Sequence, residues 1–429
     1  MKFNFFSQNI LLILLLACLP KLAHAAVWED TEIWNKDWEN KYSQWIENEY
    51  SDDFFLRGHL KNIPIDCADA VYLPRLYFSY LNKLPFVISD LHAENLFYTN
   101  QTDKYDSMTD EIDRLRAFAI YIGNNVGASH IATDTYPVEI NKDNIRPGTI
   151  WSFASPDHVK SWKKNTDPNK TPLGPSHAVN VKEITPYGVL NLIGASSPRE
   201  VKRLTTSAEF TILPTSEVGS GLRNWKWPEH YQMPEKDIPD YNSEQYSPLF
   251  ARSEIVSGKQ QIQNGSSNIV KWSREVYRRL GSETEDKDAY LSRMTKNFCN
   301  YVQARVPIVM KGEELRLTLN NKCMNERQAD DYSTPTRDSA IKKSLDKLVN
   351  GGAFLNSLKY AFGFKSKNIF ESLRPYLEAC GSLEISPGHN VDFVEIARRA
   401  AKGNLSSDPN QSFETRWGEA PVIKSDCKY

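Results

Sequence analysis

Ile65-Asp66-Cys67-Ala68-Asp69-Ala70 is an apolar, proline-led approach that turns into a helix-like run. Far downstream, Ser176-His177-Ala178-Val179-Asn180-Val181 places a histidine at the head of an alternating strand. A thiol at a helix start lies where unpaired amides and the helix dipole favour the thiolate. A strand-borne imidazole is the usual group that takes the thiol proton and later delivers it to the leaving amine. The functional reading depends on whether Cys67 and His177 meet.

Around these two stretches the pattern is mixed. Residues 26–59 carry Trp28, Trp34, Trp38, Tyr42, Trp45 and Ile46 near helical spacing, which predicts a docking face or core rather than a carbohydrate platform. Residues 66–81 read as a helix from Cys67, with Pro74 inside it removing a hydrogen bond. A clearer helix is expected over 108–122, and irregular chain over 124–144. Arg146-Pro147-Gly148 makes a turn into a strand at 149–153. A polar loop covers 155–175, and strands follow at 177–184 and 189–195, joined by Thr185-Pro186-Tyr187-Gly188. One more strand is expected within 199–213, around Phe210.

If that turn closes a hairpin with 184 facing 189, His177 lies opposite Ser196. Ser196 is then the favoured third residue to orient the imidazole, with Ser197 or a backbone carbonyl close behind. Asn191 is the alternative. It would pair with Lys182, about five residues from the histidine, or ~16 Å at the strand rise.

The chain has 429 residues, 40% hydrophobic and 25% charged, with a net charge of −2. No strongly basic segment is present to neutralise a phosphate backbone, so nucleic acid is not an expected partner. Lys2, an apolar run over 10–19 and Ala23-His24-Ala25 read as a secretion signal, residues 1–25, with Ala26 as the mature start. Cys18 in Leu15-Leu16-Ala17-Cys18 offers a lipoprotein anchor as the alternative. No second apolar run reaches membrane length. The expected location is periplasmic or secreted.

Five cysteines then remain: Cys67, Cys299, Cys323, Cys380 and Cys427. An exported chain tends to pair its thiols. The last four can make two bridges, and Cys299–Cys323 with Cys380–Cys427 is the most local pairing, although spacing leaves the connectivity open. Cys67 is left as the single free thiol.

Three short motifs occur in a familiar order. Asp66-Cys67-Ala68-Asp69 opening a helix resembles the Asp-Cys-Ser/Ala start of the NlpC/P60 family of papain-like cell-wall peptidases. Ile145-Arg146-Pro147-Gly148-Thr149-Ile150-Trp151 is similar to that family's Pro-Gly-Asp turn into its first core strand, with Thr149 at the aspartate position. Ser176-His177-Ala178-Val179 resembles the strand that delivers the histidine. The resemblance covers roughly residues 60–215. It implies an α+β, papain-like domain in which the Cys67 helix packs on a small antiparallel sheet. It also implies Cys67 as nucleophile, His177 as base, and peptide or amide bonds of peptidoglycan stems as substrate. Many relatives carry a tyrosine upstream of the cysteine. Tyr50 is the nearest here, at a different spacing, and the role is not carried over.

Other clusters read as structural. His130 precedes the Pro147-Gly148 turn and is expected to be a loop or structural histidine. His92 with Asp90 and Glu94 lacks any paired metal-ligand spacing and reads as a solvated loop. No metal or cofactor is expected. Arg327, Asp330, Asp331, Tyr332, Ser333, Arg337 and Asp338 form a polar cluster explained by capping and surface ion pairs, with a ligand or partner site as the alternative.

The expected organisation is a helical segment at 26–59, the catalytic domain at 60–214, a proline-rich linker at 215–250 and a disulfide-bonded helical domain at 251–429. That last domain would position the enzyme, cover its groove or engage a protein partner. The expected function is an exported cysteine hydrolase. Alternatives are an acyltransferase or transglutaminase-like enzyme on the same fold, and a catalytically inactive periplasmic binding or scaffold protein.

Overall fold

The computed structural model describes residues 26–91, 96–154, 156–165, 173–208, 210, 212–250, 265–320, 322–361, 369–423 and 427. The stretch read as a secretion signal, with Cys18, and His92 and Glu94 of the solvated-loop reading, lie outside the described residues. The fold is α+β, as expected.

Its centre is a six-stranded antiparallel sheet. The strands are β3 (Thr135–Pro137), β4 (Ile150–Phe153), β5 (His177–Ile184), β6 (Leu190–Gly194), β7 (Thr205–Ser207) and β8 (Gly221–Trp225), in the order β3-β8-β4-β5-β6-β7. A separate hairpin, β1 (Val87–Ser89) with β2 (Phe97–Thr99), precedes the sheet. Helices α1 (Lys36–Glu49), α2 (Asp69–Leu81) and α3 (Glu111–Asn125) pack over one face. Trp34, just before α1, and Tyr42 and Ile46 of α1 lie in one core with Ala70, Val71 and Leu76 of α2 and with Ile150, Ala178 and Ile193 of the sheet. The aromatic stripe is thus a docking face. It also holds an ion pair, in which the Arg75 guanidinium lies 3.2 Å from the Trp34 ring centre and 2.5 Å from Glu39.

The other face is covered by α4 (Gly265–Leu280). Its Trp272, Val276 and Leu280 share a core with Trp151, Val181, Leu192 and Phe210. This helix therefore belongs to the sheet's core, although it falls in the stretch read as the helical domain. The remaining core is built by α5 (Lys287–Thr318), α6 (Pro335–Ala361), α7 (Ile369–Glu378) and α8 (Phe393–Ala401), with a small hairpin of β9 (Ser382–Ser386) and β10 (His389–Asp392). None of the described helices is long and apolar enough to cross a membrane.

Several expectations are corrected. Residues 215–250 are not simply a surface linker, because Gly221–Trp225 is a sheet strand between β3 and β4 with all five residues buried. A strand buried on both faces loses the alternation that marks a half-buried one, and the prolines that suggested a linker lie outside it. Residues 124–144 are not irregular throughout, since they supply the edge strand β3. The strand expected around Phe210 is Thr205–Ser207 instead, and Phe210 serves the core under α4.

The disulfides are Cys299–Cys380 and Cys323–Cys427, not the most local pairing. The cause is helix continuity. Cys299 lies inside α5, which runs on to Thr318. At 1.5 Å per residue those positions are roughly 30 Å apart, far beyond a disulfide's reach. Two bridges fit an oxidising compartment.

Candidate active site

Asp66-Cys67-Ala68-Asp69 forms a reciprocal cap. The Asp66 carboxylate accepts the Ala68 and Asp69 N–H groups at 2.9 and 3.3 Å, and Asp69 accepts the Asp66 N–H at 2.9 Å. The cap binds the amides on either side of Cys67 and leaves the thiol in the turn that leads directly into α2. Asp69 also pairs with Arg199 at 2.7 Å. Gly123 of α3 is required beneath that pair, because a Cβ there would fall on the Asp69 carboxylate and the Arg199 guanidinium. An antiparallel bridge between Ile65 and Glu200 fixes the approach to Cys67.

Pro74 does not break the helix. It removes the N–H that would bond the Ala70 carbonyl four residues earlier. Two side chains take its place: the Tyr50 hydroxyl donates to Ala70 O at 2.6 Å, and Asn180 Nδ2 donates to it at 2.9 Å. Tyr50 and Asn180 are both wholly buried. Asn180 stands three residues beyond His177 on β5, so the carbonyl freed by proline fastens the cysteine helix to the histidine strand.

The Pro147-Gly148 turn forms as expected, with Gly148 at φ 90°. Thr149 fills the polar position by accepting the Arg146 N–H at 3.1 Å and donating to Asn224 at 2.9 Å. The strand that follows pairs Phe153 with His177, and their rings lie 5.1 Å apart.

Cys67 is buried, and is the one free cysteine among the described residues. Its sulfur lies 4.0 Å from the Ser176 carbonyl, the residue preceding His177. Burial pushes the thiol up to about 12. The Asp66 charge adds to this, and the Ala178 and Ala68 backbone amides act against it. Burial likewise pushes half-buried His177 down to about 4, helped by the Arg337 cation and opposed by Asp66. At rest the site holds a neutral thiol and a neutral imidazole.

Asn180 pairs with Ile193 and Val181 with Leu192, the register expected at those positions, but β6 ends at Gly194, so Ser196 lies beyond the paired strand and the ladder does not reach from it to His177. Asn191 pairs with Glu183 rather than Lys182, because the ladder shifts by one after Val181, and it donates to the Glu183 carboxylate at 2.9 Å. Among the described residues, neither Ser196 nor Asn191 hydrogen-bonds His177. The Ser196 carbonyl instead accepts from Lys202.

Sequence reasoning missed Arg199, Lys202 and Arg337 beside the site. In the sequence Arg337 stands out only as part of a polar cluster. Of the other candidates, His130 is structural: it is buried and accepts the Gly127 N–H through Nδ1 at 3.2 Å. Asp338 of the polar cluster is taken by Arg305 at 2.6 Å. No group of three or more potential metal ligands occurs among the described residues.

No family model, curated protein or solved structure matches the chain.

Proposed function

We propose that the chain is a papain-like cysteine hydrolase, of the NlpC/P60 type, acting on peptide or amide bonds of peptidoglycan stems. One observation carries the reading. The free thiol among four bonded cysteines opens a capped helix against the backbone of the strand that begins at His177. In this reading the thiol proton passes to His177 as the sulfur attacks the amide carbonyl. The Cys67 N–H, which the Asp66 cap leaves unused, holds the oxyanion. The imidazolium then protonates the leaving amine, and water releases the acyl group. Desolvation is the largest influence on both groups. Charge separation therefore needs the dipoles of bound substrate or entering water.

A second reading, a catalytically silent binding protein, is favoured by the thiol at about 12. The two are separated by mass spectrometry of cell-wall fragments incubated with wild type and Cys67→Ala. The hydrolase reading expects new fragments with wild type alone, and equal products from both proteins would end it.

A further inference from the structure

The loop from Ser196 to Glu200 borders the approach to Cys67, and two cations grip it. Lys202 donates to the Pro198 carbonyl at 2.5 Å and to that of Ser196. Arg337, in the first turn of α6, donates through Nη2 to the Ser197 carbonyl at 2.9 Å. Arg337 reaches the loop from α6, whose Ile341, Leu345 and Leu348 belong to a different core from Ala68 and Ala178, the chain neighbours of Cys67 and His177.

The surrounding carboxylates are all engaged elsewhere. Asp69 is bound by Arg199, and Glu200 lies 3.8 Å from Lys202 and also pairs with Lys311. Asp338 accepts from Arg305 and from the Thr334 and Ser407 hydroxyls. Asp66 caps the helix. Arg337 has no carboxylate in ion-pair contact among the described residues. A guanidinium has five donors in a fork that fits a carboxylate, and one carbonyl uses only part of it. Of the charges acting on His177, that of Arg337 is the strongest.

We propose that Arg337 binds a substrate carboxylate adjacent to the scissile amide, so that the helical unit confers a preference for acidic peptides. The proposal rests on the hydrolase reading of Cys67 and His177. Lysine is a poor substitute for the fork, and the neutral loop carbonyls cannot supply the missing anion. Pairing with a carboxylate would also neutralise the cation that opposes protonation of His177. The acidic substrate would then favour the proton transfer it needs.

The test is calorimetric binding of a stem tetrapeptide with free carboxylates, and of its fully amidated counterpart, to Cys67→Ala protein. The same titrations are made with Arg337→Gln and Arg337→Lys placed on Cys67→Ala, after circular dichroism shows that each is folded. The free acid is expected to bind about tenfold to a hundredfold more tightly than the amide. Arg337→Gln is expected to bring that ratio near one, and Arg337→Lys to restore part of it. Equal binding of acid and amide to the Cys67→Ala protein overturns the proposal. So does an unchanged ratio in Arg337→Gln, or no binding of either peptide. A preserved ratio with no cleavage by wild type would sink the hydrolase reading while supporting the carboxylate site.

Discussion

The Ala70 carbonyl offers a quantitative test of how the site is held. It has two donors, Tyr50 and Asn180, because Pro74 withholds the helical one. Tyr50→Phe leaves Asn180 in place and should cost about 0.5–1.5 kcal/mol, the net worth of one hydrogen bond. Asn180→Ala should cost a similar amount. Its Oδ1 is buried without a partner, so part of the loss is offset. Together the two changes strand a buried acceptor, which adds about 1–3 kcal/mol. The double variant should therefore lose about 1–3 kcal/mol more than the two singles combined. In a Pro74→Ala background the residue-74 N–H can bond Ala70 O again. The coupling should then fall to about 0.5 kcal/mol or less. Urea unfolding of all eight proteins, analysed as two double-mutant cycles, measures both couplings. The unfolded-state effect of proline is common to every member of the second cycle and cancels. Equal coupling in both backgrounds would refute the idea that these side chains replace the lost helical donor.

Other consequences are direct. Iodoacetamide should label Cys67 on the order of a thousandfold more slowly near neutral pH than an unperturbed thiol, with a rate that still climbs at pH 10; a plateau below pH 9 would contradict the buried, neutral thiol. His177 has a folded-state value near 4 against 6.5 unfolded, so between these the unfolded chain binds more protons and stability falls as pH drops from 6.5 toward 4. His177→Gln should flatten that part of the wild-type profile of urea midpoint against pH, and identical profiles would exclude it. Replacing Cys299 and Cys380 together by alanine should cost about 2–5 kcal/mol in unfolding free energy. Non-reducing peptide maps should yield Cys299–Cys380 and Cys323–Cys427 fragments, and a Cys299–Cys323 fragment would overturn the α5 geometry.

Local chemistry was the legible part of this chain. Asp66 and Asp69 stand at capping-box spacing, and the helix start follows from those residues alone. The 185–188 turn set a register that holds at Val181 and Asn180, and it misplaced Asn191 by one residue because a ladder shift has no signal in the residues themselves. Pro74 is a different case. Its identity announces an orphaned carbonyl at Ala70, but nothing local says that positions 50 and 180 supply the donors. The strand Gly221–Trp225 was hidden for a physical reason, since burial on both faces erases its alternation.

Arg337 marks the limit of such reading. Its place beside His177 is made by two packed units, and the contacts that join them are ordinary polar residues. Asn297 of α5 accepts the Ala208 N–H at 3.0 Å, and Asn300 donates to the Thr206 hydroxyl at 2.9 Å on strand β7. Those bonds fix α5 against the sheet edge, α5 packs on α6, and α6 carries Arg337 to the Ser197 carbonyl. Each step is a long-range consequence of the one before. A cation can therefore act on the imidazole although no periodicity, cap or motif connects residues 177 and 337. By the same reasoning, loosening α5 from β7 should alter the charge felt by His177 without touching a residue of the site.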